Sequence, residues 1–579
     1  MKKPSFFCRS ELAETLWLFR REFAVCLVFT MVVNILMLTP TLYMMQVFDR
    51  VFVSQSELTL LALTLVMMFL FAIMAFAEWS RSRLLVRTGI KLDNYLNSRV
   101  FNASFEAYLS KLGANPTQPF ADLTNIRQFL TGYGLFAFLD APWTPIYLTV
   151  LFLLHPGLGW LSILFILLSI GLAYFTHRYT HQPIDKAGEA AIDVNVYIQS
   201  KLKNADVIES MGMLDDLRRR WQSRHHHHLD LHHHAQDLSH RMQSLSKFLR
   251  YTQNSLALGA GALLVTRGEL TMGGIIAANM LMSRATQPVD LIVSQWKSFL
   301  TARKSFERLE ALLAEHPGRD AGLVHGAPQG GLRIEHLVAT APARTQPILK
   351  GLNAEFFPGE TVVIIGPSGS GKSTLARALV GIWPNFSGRV LIDGEAIDSW
   401  DREQLGPFLG YLPQDIELFE GTIAENIARF GEIDPKKVIA ACQRAGVHEM
   451  ILRLPRGYDT SIGEAGSLLS GGQRQRIGLA RAMYGDPTVV VLDEPNSNLD
   501  DVGEAALVNA VQDLKQQAKT VILITHRMNI IGVADRIMVL NDGRITHYGP
   551  AQEILSLMAA KADQLAAANA GTTPAAQPA

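Results

Sequence analysis

The run Gly366-Pro367-Ser368-Gly369-Ser370-Gly371-Lys372-Ser373-Thr374 decides the fold of the second half of this chain. It follows the apolar stretch Thr361–Ile365 and precedes residues 374–380, which read as a helix. Glycines at this spacing let backbone N–H groups close around a polyphosphate, and the helix N-terminus adds its partial positive charge. Lys372 reaches the outer phosphates, and Ser373 can ligate Mg²⁺. A lone glycine turn of this kind also arises by chance, so the weight of the reading rests on its company.

Working outward, 489–492 is a run of Val and Leu that ends in Asp493 and Glu494. A buried strand ending in two carboxylates suits phosphoryl transfer, with Asp493 to hold Mg²⁺ and Glu494 to polarise the attacking water. An ordinary acidic strand end is the plainer alternative. It loses ground to Leu469-Ser470-Gly471-Gly472-Gln473 just upstream, which opens a helix whose hydroxyl and amides can grip an anion. Gln414, in Tyr411-Leu-Pro-Gln-Asp415, and His526, in Ile524-Thr-His-Arg527, complete an ordered set. Short β-rich runs at 361–365, 488–492 and 520–524 alternate with helical stretches, which predicts an α/β domain with a mainly parallel core. His316-Pro317-Gly318 and the glycines of 326–331 mark a linker before it, and the Ala/Thr/Pro/Gln tail after about 558 reads as frayed or disordered.

The first half has a different character. Six apolar runs are long enough to cross hydrocarbon as helices, near 24–47, 58–78, 133–154, 157–176, 249–267 and 273–297. Lys and Arg number five before the first run, seven in 80–130 and nine in 177–246, whereas the opposite loops hold Arg50, none and Arg267. Both termini and the two long loops are therefore expected on the cytoplasmic side. The long loops read as helical continuations of the spans, since 186–250 contains no Pro. The domain organisation expected is a short segment 1–23, a six-helix membrane domain 24–310, a linker 311–331, a nucleotide-binding domain 332–558 and a tail 559–579.

Composition agrees. Of 579 residues, 48% are hydrophobic and 18% charged, and mean hydropathy is +0.15, which excludes a disordered chain and gives no footprint for nucleic acid. Cys8, Cys26 and Cys442 lie far apart, so neither a disulfide framework nor a zinc site is indicated. Net charge is zero, but residues 1–310 hold 30 basic and 23 acidic side chains and the remainder holds 23 and 30. The zero is a cancellation of two unlike halves.

From about 330 to 555 the ordered set, P-loop, Gln414, LSGGQ, Asp493-Glu494 and His526, resembles the nucleotide-binding domain of ABC transporters. The resemblance implies that Gln414 couples Mg²⁺ and the γ-phosphate of ATP to the membrane domain and that His526 contacts the γ-phosphate. It also implies that Asp500, in Ser497-Asn-Leu-Asp, crosses between subunits. The nucleotide set so implied is Gly366 to Thr374, Gln414, Ser470, Gly471, Gly472, Gln473, Asp493 and Asp500. Glu494 and His526 are catalytic, and Ser373, Gln414 and Asp493 hold Mg²⁺. The family further implies that the signature of one subunit completes the ATP site of another. One chain carries one of each motif, so a homodimer is the economical reading. One departure stands out: no Tyr, Phe or Trp lies between His336 and Lys350, and the position where exporters stack an aromatic ring on adenine falls near Ala341. Weakened adenine contact is expected.

Six spans ahead of the ATPase indicate the exporter type. Phe138-Leu-Asp140-Ala-Pro-Trp143-Thr-Pro145-Ile-Tyr147 and Asp493-Glu-Pro-Asn-Ser-Asn-Leu-Asp500 resemble type I secretion ATPases, nearest to exporters of RTX metalloproteases, lipases and S-layer proteins. Other exporters of this group carry an N-terminal peptidase-like domain; only 23 residues precede the first span here, and no leader cleavage is expected. The resemblance implies a bacterial inner-membrane protein working with a periplasmic membrane fusion protein and an outer-membrane channel. Its substrate would be an unfolded polypeptide with a C-terminal signal. A lipid or drug exporter with the same ATPase is the alternative.

Charges inside membrane spans are costly and usually functional. Asp140, Arg284 and Asp290 are the translocation candidates, with a structural ion pair between Asp140 and Arg284 or nearby groups weighed against substrate contact. Residues 121–130 and 205–216 are expected as coupling helices, the first because Leu123, Ile126 and Phe129 recur at helical spacing on a loop with nothing else to pack on. His225, His228 and His232 share a helical face, as do His226 and His233. A solvated arm is favoured there over a metal or pH site.

Overall fold

The computed structural model describes residues 10–110, 117–202, 204–318, 326–341, 346–384, 386–463, 469–525 and 527–570. The chain forms two compact units, Met1–Ser104 with Pro116–Pro317, and Phe105–Asn115 with Gly318–Ala579.

Among the described residues the first unit is built of helices joined by short turns. Its spans run far past a bilayer: Glu57–Ser110 has 54 residues, about 80 Å of helix against about 30 Å of hydrocarbon. Pro156–Leu202, Leu214–Thr266 and Met272–Glu315 are comparably long. Among the described residues four helical stretches, Arg20–Ser54, Glu57–Ser110, Tyr133–Leu154 and Pro156–Leu202, are long and apolar enough to cross a membrane. The expected fifth and sixth spans lie within Leu214–Thr266 and Met272–Glu315 but fall short of that measure. They carry Arg250, Gln253 and Asn254, and Arg284, Gln287 and Asp290, respectively. In Glu57–Ser110 the most apolar window, with mean hydropathy 2.7, is only 6% buried. An apolar surface turned outward in this way is suited to lipid.

Local chemistry shapes the spans. Residues Val47–Val51 form a π turn that brings Asp49 to the start of Met272–Glu315. Asp49 accepts there from the Gly273 amide at 2.8 Å and from Thr271 Oγ1 at 2.7 Å. A carboxylate at a helix N-terminus is favoured by the dipole. Gly273 is required by the approach, since a Cβ would stand 2.6 Å from the Met45 carbonyl.

The two expected coupling segments fare differently. Residues 121–130 sit inside Gln118–Thr131, but the apolar stripe is not a docking face. Leu123 and Ile126 are buried with Leu92, Leu96, Val100, Leu309 and Leu313, and Phe129 packs on Phe138 and Phe299. Asp122, 2% exposed, accepts from Arg308 Nε and Ser305 Oγ, each at 2.9 Å. The stripe is core of the membrane unit, because the long helices beside it supply the partners a loop would lack. Residues 205–216 form a short exposed helix, Ala205–Ser210, and a turn before Leu214–Thr266 begins.

The second unit contains two sheets. Strands β1 (Leu332–Thr340), β2 (Pro347–Phe356), β4 (Phe386–Ile392) and β5 (Glu395–Ala396) make an antiparallel sheet in the order β2-β1-β4-β5. The larger sheet contains β3 (Thr361–Ile365), β6 (Leu409–Leu412), β7 (Val489–Asp493), β8 (Thr520–Ile524), β9 (Arg536–Asn541) and β10 (Arg544–Pro550) in the order β10-β9-β3-β8-β7-β6. All its pairings are parallel except β9 with β10. Every residue of β3, β7 and β8 is buried, as strands covered on both faces must be, which is why they read as unbroken apolar runs. The expected frayed tail is corrected in part: Ala551–Ala570 is helical, consistent with its alanines, the strongest helix formers.

Candidate functional site: the head of the parallel sheet

β3, β7 and β8 are adjacent and parallel, so their C-terminal ends deliver the P-loop, the Asp493-Glu494 pair and the Thr525 turn to one edge of the sheet. The P-loop leaves β3 at Gly366, where any Cβ would meet the Leu540 carbonyl at 2.0 Å, and enters the helix Lys372–Leu379 through Gly371 at φ +101°. Glycine is the residue both places accept. Lys372 folds over the loop, donating from Nζ to the carbonyls of Gly366 and Pro367, both at 2.9 Å. Burial lowers its pKa from the ordinary lysine value, opposed by the charges of Glu494 and Asp493.

Asp493 closes β7, 1% exposed, and its Oδ1 has no hydrogen-bond partner among the described residues. Burial pushes its carboxyl above the usual range, opposed by Ser373. Ser370 Oγ in the P-loop is likewise buried without a partner. Ser373 donates to Gln414 Oε1 across 3.5 Å, and Gln414 donates from Nε2 to Glu494 Oε2 at 3.1 Å. Glu494 sits at φ +49° with its amide donating to the Ile524 carbonyl at 3.0 Å; such a backbone in a non-glycine residue is uncommon and costs about 1 kcal/mol. A hydroxyl, an amide oxygen and a buried carboxylate with an unused lone pair are the hard oxygen donors that Mg²⁺ takes. Among the described residues no three His, Cys, Asp or Glu side chains form a metal cage, so such an ion would share its ligands with phosphate oxygens.

The signature lies at the start of the helix Gly471–Met483. Ser470 Oγ accepts from the Gln473 amide at 3.3 Å while Gln473 Oε1 accepts from the Ser470 amide at 2.9 Å, a reciprocal capping box. Within one chain the serine hydroxyl therefore serves its own helix. Gly472 lies under the Asn498 carbonyl, 2.8 Å from where a Cβ would be. Asp500 caps Asp501–Gln516 by accepting from the Gly503 amide at 2.9 Å. His526 falls outside the described residues. Ala341 is half-buried against the core beneath β1, and Trp383 Nε1 donates to the neighbouring Thr340 carbonyl at 3.3 Å. Gln475, which the sequence did not single out, is buried and donates to the Pro495 carbonyl at 2.9 Å. Glutamine inside a helix carries no local signal of that role.

In the membrane unit the intramembrane charges separate. Asp140 does not pair with Arg284: it accepts from Arg81 Nη1 at 3.2 Å and from Asn34 Nδ2 at 2.9 Å. Tyr147 donates to Asn34 Oδ1 at 3.1 Å, and Arg81 lies over the Phe136 ring at 4.5 Å. Asn34, Arg81 and Asp140 lie on three different helices, so spacing in the chain could not show the contact. Arg284 bonds Gln287 on its own helix at 3.0 Å, and Asp290 is half-buried. Of the histidines, His225 stacks on Trp221 at 4.8 Å and His228 Nδ1 is 3.2 Å from the Ala187 carbonyl. On that face His225 and His228 are half-buried and His232 is exposed, and His226 and His233 on the other face are exposed.

Two family models match. Residues 349–497 match the ABC transporter model, and 23–289 match the ABC transporter transmembrane region. The chain is 42% identical over 525 residues to the type I secretion system ATP-binding protein PrsD of Rhizobium meliloti, covering 90% of both chains. It is 29% identical over 543 residues to the cyclolysin secretion/processing ATP-binding protein CyaB of Bordetella pertussis, covering 92% of this chain and 75% of that one. The leukotoxin translocation ATP-binding protein LktB of Mannheimia haemolytica is 29% identical over 548 residues, with 93% and 77% covered. A solved bacterial Atm1-family ABC exporter with ATP bound shares the fold, with a TM-score of 0.79 at 23% identity over 93% of this chain and 97% of that one. The bundle of apolar helices, the nucleotide cradle at the head of the parallel sheet and these matches agree that the chain belongs to the ABC transporter family, as a membrane protein with an ABC ATPase domain.

Proposed function

We propose that this chain is the ATP-hydrolysing component of a type I protein secretion system, working as a homodimer in the bacterial inner membrane with both termini and the ATPase unit in the cytoplasm. The observation that carries the ATPase reading is the bridge Ser373–Gln414–Glu494 beside the unpartnered oxygen of Asp493. In this reading P-loop amides and Lys372 hold the phosphates, Glu494 orients and polarises the water, and His526 contacts the γ-phosphate. Mg²⁺, held by Ser373, Gln414 and Asp493, would neutralise developing phosphate charge. Gln414 touches both the would-be ion ligand and the acidic group, so it registers whether nucleotide is present. Ser470 to Gln473 and Asp500 would complete the nucleotide site of the partner chain.

The secretion reading is supported by the 42% identity along nine tenths of a type I secretion ATP-binding protein. Its partners would be a periplasmic membrane fusion protein, an outer-membrane channel, membrane lipid and an unfolded polypeptide with a C-terminal signal. Arg284 and Asp290 remain the candidates for substrate contact, since Asp140 is engaged by Arg81 and Asn34. The test compares proteins in the medium of cells carrying wild type and Glu494→Gln. Loss of one or a few large secreted proteins is expected. An unchanged secretome with altered lipid or drug accumulation would replace this reading with a lipid or drug exporter.

A further inference from the structure

Two arginines join the segment after Gln414 to the helix that begins at the signature. Arg481, in the last turn of Gly471–Met483, donates from both Nη atoms to the Glu417 carbonyl at 3.2 Å and lies over the Phe419 ring at 5.5 Å. Arg429 donates from Nε to the Arg481 carbonyl at 3.1 Å, from Nη2 to the Ala482 carbonyl at 3.1 Å and from Nη1 to the Gly406 carbonyl at 2.7 Å. All of these acceptors are main-chain oxygens. Those of 481 and 482 lie in the last turn of the helix, where carbonyls lack intrahelical partners and a cation is favoured by the dipole.

The same helix is fastened at two further points. Gly478 faces Ile416 so closely that a Cβ would stand 3.0 Å from Ile416 Cγ2, and Gln475 holds the Pro495 carbonyl. Residues 416 and 417 lie two and three positions after Gln414, and Pro495 follows Glu494. One helix is thus attached to the loop that follows Gln414 and to the one that follows Glu494, and its N-terminal end is Ser470-Gly471-Gly472. A close-packed helix shifts as a body, so displacement of the Gln414 loop is carried along it and not absorbed locally.

We infer that Arg481 is a positioning residue that transmits the state of Gln414 to the signature end of its own chain. The inference rests on the reading above that this end serves the partner's nucleotide. Nucleotide on one side of the dimer then aligns the second half of the other site, and the two hydrolysis sites become cooperative through the Arg481–Glu417 contact. Arg481 touches no substrate; its effect is on where Ser470 to Gly472 stand.

The experiment uses the full-length protein in lipid nanodiscs, with ATPase rate followed against ATP concentration and nucleotide binding followed separately with a fluorescent ATP analogue. Wild type is expected to show a Hill coefficient approaching about 2, the number of sites, and R481Q a value of about 1, with analogue binding little changed. R481K, which can return one donor to the Glu417 carbonyl but not the fork, should fall between. I416A loosens the link from the Gln414 side with both arginines intact, and it reads the coupling even if R481Q does not fold. Unchanged cooperativity in R481Q and I416A overturns the inference. So does a joint loss of binding and rate at an unaltered Hill coefficient, which marks a merely structural role. The underlying composite-site reading is checked separately: K372A and S470A chains, each inactive alone, regain hydrolysis on co-assembly only if one chain's signature completes the other's site.

Discussion

Gln414 and Glu494 are joined by a hydrogen bond of 3.1 Å, with the amide of the first donating to the carboxylate of the second. The contact ties the loop after β6 to the end of β7 and occupies a carboxylate oxygen that the proposed mechanism directs at water. Glu494→Gln is expected to lower hydrolysis by about 10²-fold or more, the scale of a lost general base, while ATP still binds. A dimer trapped with ATP, seen by nucleotide retention after gel filtration, is the expected product. Hydrolysis within a few-fold of wild type would remove Glu494 from the chemistry.

The Arg81–Asp140 pair makes a prediction about stability. Arg81 is 8% exposed, bonds Asp140 at 3.2 Å, lies over Phe136 and has Glu78 at 3.7 Å on its own helix, so Asp140→Ala leaves this buried cation with only the longer contact to the more exposed Glu78. A loss of about 1 to 3 kcal/mol is expected, because the shorter, hydrogen-bonded partner of a buried cation is removed while a weaker one remains. Thermal unfolding in detergent should show it, with Arg284→Ala changing the midpoint far less, since Arg284 bonds a neutral side chain, Gln287, one turn along its own helix. Equal effects of the two substitutions would contradict the assignment of Asp140 to structure.

At the proposed base-binding position, Ala341 offers no ring. Ala341→Trp is expected to tighten ATP binding by about tenfold, since stacking on an aromatic platform is worth about 1 to 3 kcal/mol per base. It should also sharpen preference for ATP over GTP, measured by competition binding. Unaltered affinity and base preference would show that adenine is held elsewhere.

Asp486 supplies a pH prediction. It accepts from Lys519 at 2.8 Å and from Arg444 at 3.3 Å. Burial alone would raise its pKa, but these two cations outweigh it and hold the carboxyl below its usual value. With a folded pKa below the unfolded one, the stabilisation is fully present above the unfolded value and is lost as pH falls through the folded one. The side chain is 57% exposed, so screening limits the contribution to under about 1 kcal/mol. Asp486→Asn should lower the melting midpoint slightly at neutral pH and have no effect once the wild type is acidified below the carboxylate range. The same difference at both pH values would point to packing, not charge.

Much of the ATPase unit was legible because its chemistry is local. The P-loop needs its glycines, its lysine and a helix within nine residues, and fully buried parallel strands announce themselves as unbroken apolar runs at 361–365 and 520–524. The antiparallel sheet β2-β1-β4-β5 was not foreseen, since β1 and β4 pair across more than 45 residues and neither is an unbroken buried run. The stripe Leu123, Ile126, Phe129 was correctly helical and wrongly placed. Periodicity reports that a helix has an apolar face; it does not say what the face meets.

By itself the sequence determined that this chain has long apolar helices and a phosphate-binding α/β domain, because hydrophobic length and motif spacing are properties of short segments. Only the tertiary structure decided that Asp140 answers Arg81 and not Arg284, that Asp122 is buried under Arg308, and that Arg481 reaches the carbonyl beyond Gln414. Each of these joins groups separated by between 59 and 186 positions. Which charge meets which is settled when helices pack and water is excluded, since only there does a polar group have to find one particular partner.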